Sequence, residues 1–206
     1  MSSAQNYTPP PADAVVLFAG TDASEWVQRS SGDPCRWRII DGAMEVVPGT
    51  GDIVTKRRFR DFELHLEFWL PLMADKTGQA RANSGLYLQG LYEIQILDSY
   101  NNETYPLGVC AALYNQVAPS QNAALPPEQW QTYHVFFRAP KFDAEGNRVQ
   151  DGAVTLLWNG VKVHDETPIT VPTGGHLDHS PSEPGPIMLQ DHGNKIRFRN
   201  IWIRPL

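Results

Sequence analysis

Between Tyr92 and Asp98 the chain alternates apolar with polar residues. Tyr92, Ile94 and Ile96 fall on one parity, Glu93 and Gln95 on the other. Successive side chains of an extended strand point to opposite faces, so such a run has one face for a core and one for solvent or a ligand. Similar runs recur along the chain between Gly, Pro, Asn and Asp, and no segment keeps apolar residues three and four apart for three helical turns. The pattern predicts an all-β chain. Strands are expected near Val15 to Phe18, Trp37 to Ile40, Ala43 to Val47, Ile53 to Thr55, Phe62 to Leu70, Ser84 to Leu88, Tyr92 to Leu97, Gly108 to Leu113, Trp130 to Ala139, Ala153 to Trp158, Val161 to Asp165, Ile187 to Gln190 and Ile196 to Ile203. Asp41-Gly42 and Asn159-Gly160 carry residues that tolerate positive φ and predict tight hairpins. Ser99 to Gln129 and Val171 to Pro186, rich in Pro, Asn, Gly and Ser, read as long loops of the kind that carry function.

A chain of 206 residues suits one β-sandwich domain. Residues 1–13 are expected to be a flexible segment ahead of a domain over 14–206. The formal charge is −6 and Lys56-Arg57-Arg58 is the longest basic run, which argues against a nucleic-acid partner. No apolar stretch reaches the roughly 18 residues that a membrane span needs, and the polar start lacks the apolar segment of a signal peptide. Cys35 and Cys110 stand outside any zinc pattern and are read as either one long-range disulfide or two free thiols.

The residues offer several sites for chemistry. Glu93 and Gln95 share the polar face of their strand, and Thr132, His134, Phe136 and Arg138 share one face of theirs, a face that could also be Glu93's. His192 follows Gln190 by two residues, and its imidazole suits proton transfer near neutral pH. Arg81, just before Asn83 and Ser84, reads as a cation for a polar ligand or as a solvated loop residue, and Arg199 as the same kind of cation or as half of a structural ion pair. Asp98 reads as a strand-end turn residue or a ligand group. Tyr87 and Tyr114 offer flat faces for a sugar ring. His176, Asp178 and His179 form an H-x-D-H cluster read either as a divalent-metal site or as plain loop polarity, with no cofactor required and calcium the more fitting ion.

The run Ala82-Asn83-Ser84-Gly85-Leu86-Tyr87-Leu88-Gln89-Gly90 followed by Tyr92 to Asp98 resembles the 3-keto-disaccharide hydrolase domain family. Leu17-Phe18-Ala19-Gly20-Thr21 with Trp26, Trp37, Asp41-Gly42, Asp61-Phe62-Glu63-Leu64, Trp130-Gln131-Thr132-Tyr133, Asn159-Gly160-Val161, Leu189-Gln190-Asp191-His192-Gly193 and Phe198-Arg199-Asn200-Ile201 follow in the family's order. The resemblance implies a concanavalin-like, two-sheet antiparallel jelly roll with a sugar site on its concave sheet. It also implies cleavage of glycosides oxidised at C3: a base removes the acidified C2 proton, the aglycon leaves C1, and water adds. On that reading Glu93, His192 and His134 are the catalytic candidates. Arg81, Asn83, Ser84, Tyr87, Gln95, Asp98, Tyr114, Gln190 and Arg199 are the substrate-binding candidates, and the partner is an oxidised 3-keto-glycoside or disaccharide. The resemblance suggests a periplasmic or extracellular setting and leaves the cytoplasm open. The E-x-D-x-x-E spacing of retaining glucanases is absent, which disfavours ordinary two-carboxylate hydrolysis. A non-catalytic carbohydrate-binding module is the competing reading.

Overall fold

The computed structural model describes residues 8–206, so the start of the expected flexible segment lies outside the described residues. Among the described residues fifteen strands run in chain order: β1 Val15–Phe18, β2 Trp26–Gln28, β3 Arg38–Ile40, β4 Ala43–Glu45, β5 Ile53–Thr55, β6 Phe62–Trp69, β7 Asn83–Leu88, β8 Tyr92–Leu97, β9 Trp130–Arg138, β10 Lys141–Phe142, β11 Arg148–Gln150, β12 Gly152–Trp158, β13 Val161–Ile169, β14 Met188–Leu189 and β15 Arg197–Pro205. The described helices are two 3-10 turns, Gly78–Ala80 and Pro106–Gly108. None of them is long and apolar enough to cross a membrane.

The strands form two main antiparallel sheets. The larger runs β13-β12-β9-β6-β15-β4-β3, with β1 also on β15; the smaller runs β2-β5-β14-β7-β8. Alternation sets which residues meet between them. In β9 the odd-numbered Gln131, Tyr133, Val135 and Phe137 are buried while the residues between them are partly open. Tyr133, Phe137 and Val135 pack with Leu64, Leu66, Phe68, Leu156 and Trp158 of neighbouring strands, against Leu86, Leu88, Ile94 and Ile96 of the smaller sheet. Each large apolar side chain so buried contributes about 1.5–3 kcal/mol. The Tyr133 hydroxyl donates across the core to the Gln95 carbonyl at 2.6 Å, which ties β9 to β8.

Both expected hairpins form, with φ of 51° and 75° at Asp41-Gly42 and 52° and 80° at Asn159-Gly160. Gly108 to Leu113 is not a strand. Ala111 sits at φ 67°, which breaks the extension, and the segment instead caps the free edge of β8 through Ala111 N–H to the Gln95 carbonyl and Gln95 N–H to the Ala112 carbonyl. Its apolar residues record burial, not strand period: Cys110, Ala111, Ala112 and Leu113 are all inaccessible. The β10–β11 hairpin and β2 were not foreseen. Cys35 and Cys110 are both free thiols.

Candidate functional site

The pairings Gly85 with Gln95 and Tyr87 with Glu93 place these four residues side by side on the outer face of the smaller sheet, away from the core-facing Leu86, Ile94 and Ile96. Sequence alternation put Glu93 and Gln95 on one non-core face, and they are there. The face is not open, however. Glu93 is 4% and Gln95 2% accessible, because the two long loops fold over the β8 edge. The Tyr114 N–H donates to the Glu93 carbonyl, and the Glu93 N–H donates to Thr173 Oγ1 at 3.0 Å.

Around the Glu93 carboxyl the partners are neutral. Tyr87 Oη lies 3.0 Å from Glu93 Oε2 and 2.9 Å from the Gly174 carbonyl. Oε1 lies over Gly85, where a Cβ would stand 2.4 Å from it. A side chain at position 85 would have to displace the carboxyl. Burial pushes Glu93 up to about 7, the Tyr87 hydrogen bond pulls the other way, and the Asp52 carboxylate adds to the rise. A carboxyl so poised matches a general base working near neutral pH. Tyr87 is itself raised well above its ordinary value, by burial first and then by Glu93. Asp52 is paired with Arg29 at 2.9 Å, and Arg29 also donates to the His176 carbonyl. A cleft of about 410 Å³, lined by Arg29, Ser30, Gly51, Asp52, Leu177 and Asp178, opens there.

The neighbouring polar groups are knit to each other. Gln95 Nε2 donates to Gln79 Oε1 at 3.1 Å, and Gln79 Nε2 donates to the Gly108 carbonyl and to Thr104 Oγ1. Asn83 Nδ2 donates to the Gln79 carbonyl. Tyr114 and Tyr105 share a 2.5 Å hydroxyl contact, and that bond, with burial and Glu93, pushes Tyr114 up to about 12. Farther along β8, Arg81 pairs with the buried Asp98 at 2.9 Å; burial raises Asp98 and Arg81 opposes it.

The other sequence candidates divide. Tyr87 is 1% accessible, so its ring cannot stack on a sugar, and its part is played by the hydroxyl. Ser84 is wholly buried on the core parity and donates to the Gln190 carbonyl at 2.7 Å, which removes it from substrate contact. Gln190 lies next to Gly85 through its own N–H. His192 is exposed on the turn after Asp191 and takes no part in the hydrogen bonds of the Glu93 site. His134 and Arg138 share a face, but it is the outer face of the larger sheet, with the core between them and Glu93. There His134 Nε2 meets Glu63 at 2.8 Å, and Arg199 Nε donates to Glu67 at 2.6 Å. His176 and His179 direct ring nitrogens at backbone carbonyls of Leu177, Ser180 and Gln89. Among the described residues no group of three His, Cys, Asp or Glu side chains is placed to hold a metal.

A larger cleft, about 520 Å³, lies on that other outer face between His65, Glu67, Trp130, Thr132, His134 and Asn159. Its carboxylate is already paired with Arg199, and Arg199 stacks on Trp130 at 4.0 Å, so its charges are spent on each other. Size favours this cleft; unspent chemistry favours Glu93. Sequence reading missed Asp52, Arg29, Gln79, Thr173 and Gly174, which come from distant segments. Gly85 alone had a local signal, inside Asn83-Ser84-Gly85.

No curated protein matches the chain. Among solved structures, a candidate glycosyl hydrolase from Parabacteroides distasonis is 40% identical with a TM-score of 0.88, over 96% of this chain and 86% of that one. A second from the same organism is 22% identical with a TM-score of 0.70, over 94% of each. The alginate lyase Aly36B bound to an alginate trisaccharide shares the fold at 11% identity and a TM-score of 0.52, over 94% of this chain and 98% of that one. Residues 13–204 match the 3-keto-alpha-glucoside-1,2-lyase-like domain, and the chain belongs to that family.

Proposed function

We propose that this chain cleaves 3-keto-glycosides, with Glu93 as the base that removes the C2 proton. The carrying observation is a buried carboxyl whose hydrogen-bond partner is a hydroxyl and not a cation, raised to about 7. Its Oε1 occupies the space over Gly85 that a side chain there would fill. The family match and the name of the P. distasonis relative support carbohydrate chemistry.

In the reaction, Glu93 Oε1 takes the C2 proton and the C–H pair moves into an enolate spread over C2, C3 and the C3 oxygen. The enolate re-forms the C3 carbonyl and drives the pair into a C1–C2 double bond, while the C1–O bond breaks and the aglycon oxygen takes a proton. The Tyr114 hydroxyl, pushed up to about 12 by its bond to Tyr105 and by burial, is a proton donor on the loop wall. Water then adds at C1 and a proton returns to C2, giving net hydrolysis. The Arg29–Asp52 pair on the cleft wall supplies polar contacts for sugar hydroxyls, while Gln95, bonded to Gln79 and Gly108, braces β8 beneath Glu93.

The test is incubation with a 3-keto-glycoside and with its unoxidised parent. Turnover of the keto compound alone, slowed by deuterium at C2, is expected. Binding of either sugar without turnover would instead identify a binding module, and equal cleavage of both would identify an ordinary glycosidase.

A further inference from the structure

The Tyr87 hydroxyl has one proton and two neighbours within hydrogen-bond distance, Glu93 Oε2 at 3.0 Å and the Gly174 carbonyl at 2.9 Å. A carbonyl can only accept. Both contacts are therefore hydrogen bonds at once only when Glu93 is neutral, with Oε2–H donating to Tyr87 and Tyr87 donating to Gly174. Once Glu93 ionises, the single proton turns to the carboxylate, the stronger acceptor, and the Gly174 carbonyl loses its partner.

Gly174 belongs to a segment that Arg29 also holds, by donating to the His176 carbonyl at 2.9 Å, and whose other ties run to the same end of β7 and β8. The Thr173 N–H donates to the Leu91 carbonyl, Leu177 N–H to the Gly90 carbonyl, and Thr173 Oγ1 accepts from the Glu93 N–H. A Cβ at Gly175 would stand 3.2 Å from Tyr87 Oη, so the segment passes close over the hydroxyl. Leu177 and Asp178 wall the cleft beside Asp52.

We propose that Tyr87 is a one-proton switch that couples the charge on Glu93 to the seating of Thr173–Leu177 over the cleft. With Glu93 neutral the segment is latched. With Glu93 ionised, the form a base requires, the latch opens and the wall loosens where a substrate enters. The proposal deepens the assignment of Glu93 as base and rests on it for its bearing on turnover, whereas the latch itself is a property of the protein without substrate. The charged and titratable groups around the switch are Tyr87 on β7, Asp52 and Arg29 beside the cleft, Tyr114 on the long loop, and His176, Asp178 and His179 on the segment. The two histidines are the competing source of a pH response, because histidine is the side chain that commonly changes charge between pH 5 and 8.

The experiment is hydrogen–deuterium exchange of the full chain, without substrate, from pH 5.5 to 8.5, corrected for the intrinsic pH dependence of exchange. In the wild type, protection of the Thr173 and Leu177 amides is expected to fall about tenfold across the Glu93 ionisation, the size that loss of one buried hydrogen bond implies. Glu93→Gln, whose amide donates to Tyr87 without titrating, is expected to stay protected throughout, and Tyr87→Phe to be weakly protected and flat. His176→Gln and His179→Gln should keep the wild-type fall. A flat wild-type profile, a fall that persists in Glu93→Gln, or one abolished by either histidine variant overturns the switch. Such failure, alongside lost turnover in Glu93→Gln, would leave the base assignment standing; a working latch in a protein whose Glu93→Gln variant turns over normally would do the reverse.

Discussion

The two outer faces of the sandwich treat buried carboxylates in opposite ways. On the larger sheet Glu63 meets His134 and Arg204, Glu67 meets Arg199, and Glu45 meets Arg38 and Arg197. On the smaller sheet Glu93 has a tyrosine hydroxyl, a glycine and a second carboxylate nearby. A carboxylate already matched to a cation has little left to offer a reacting proton, and its removal exposes an uncompensated charge. A carboxyl buried without a cation resists ionising, which costs the fold and leaves the group able to take a proton near neutral pH. The difference teaches that carboxylates buried to a similar degree in one sandwich are set apart by their counter-charges.

The largest expected effect is on turnover. Glu93→Gln should lower the rate on a 3-keto-glycoside by about 10² to 10⁴, the usual worth of a general base, whereas His134→Gln should leave it within about threefold of the wild type by the same measure. Steady-state kinetics of the two variants, each with its melting temperature, would break the comparison if the losses were equal. Gly85→Ala should come next. Its new methyl must displace the Glu93 carboxylate, and a misplacement of about 1 Å can cost about a hundredfold. Unchanged kcat/KM with an unchanged melting temperature would show that Oε1 does not need its present place.

Stability should respond on the other face. Glu63→Ala leaves His134 and Arg204 without their shared carboxylate and should cost about 1–3 kcal/mol, since the pair is only partly buried. That corresponds to a fall in Tm of about 2–12 °C for a chain of this size, with turnover little changed. The smallest effects are pH slopes of opposite sign. Glu93 is raised from 4.5 to about 7 in the fold, so the native state holds its proton more tightly and this group's contribution declines as pH rises through that window. His65, buried against Trp202 and beside His134, is lowered from 6.5 to about 4, so its contribution is lost as pH falls through that range. Melting curves of Glu93→Gln should lack the first slope and keep the second.

Much of this was legible in sequence because strand period is local. Alternation over Tyr92 to Leu97 placed Glu93 and Gln95 opposite the core, and Asp41-Gly42 and Asn159-Gly160 announced their turns. Alternation says which side of its own sheet a residue occupies, but a sandwich has two outer sides, and nothing local tells them apart. That is how His134 and Glu93 could be assigned one face while standing on opposite ones. The groups that set Glu93's chemistry arrive from 41 residues before it, at Asp52, and 81 after it, at Gly174, through loops whose course no period encodes. Gly108 to Leu113 failed for a related reason: apolar residues buried by capping an edge look like residues buried in a strand.

The central claim is that an ionised Glu93 removes the proton, and the pH dependence of kcat/KM on a 3-keto-glycoside tests it most directly. The account predicts a rate that climbs as pH rises through about 7 and then levels, with that limb absent from the residual activity of Glu93→Gln. A Glu93→Gln variant that retains wild-type kcat/KM and the same limb would contradict it and move the base to another residue.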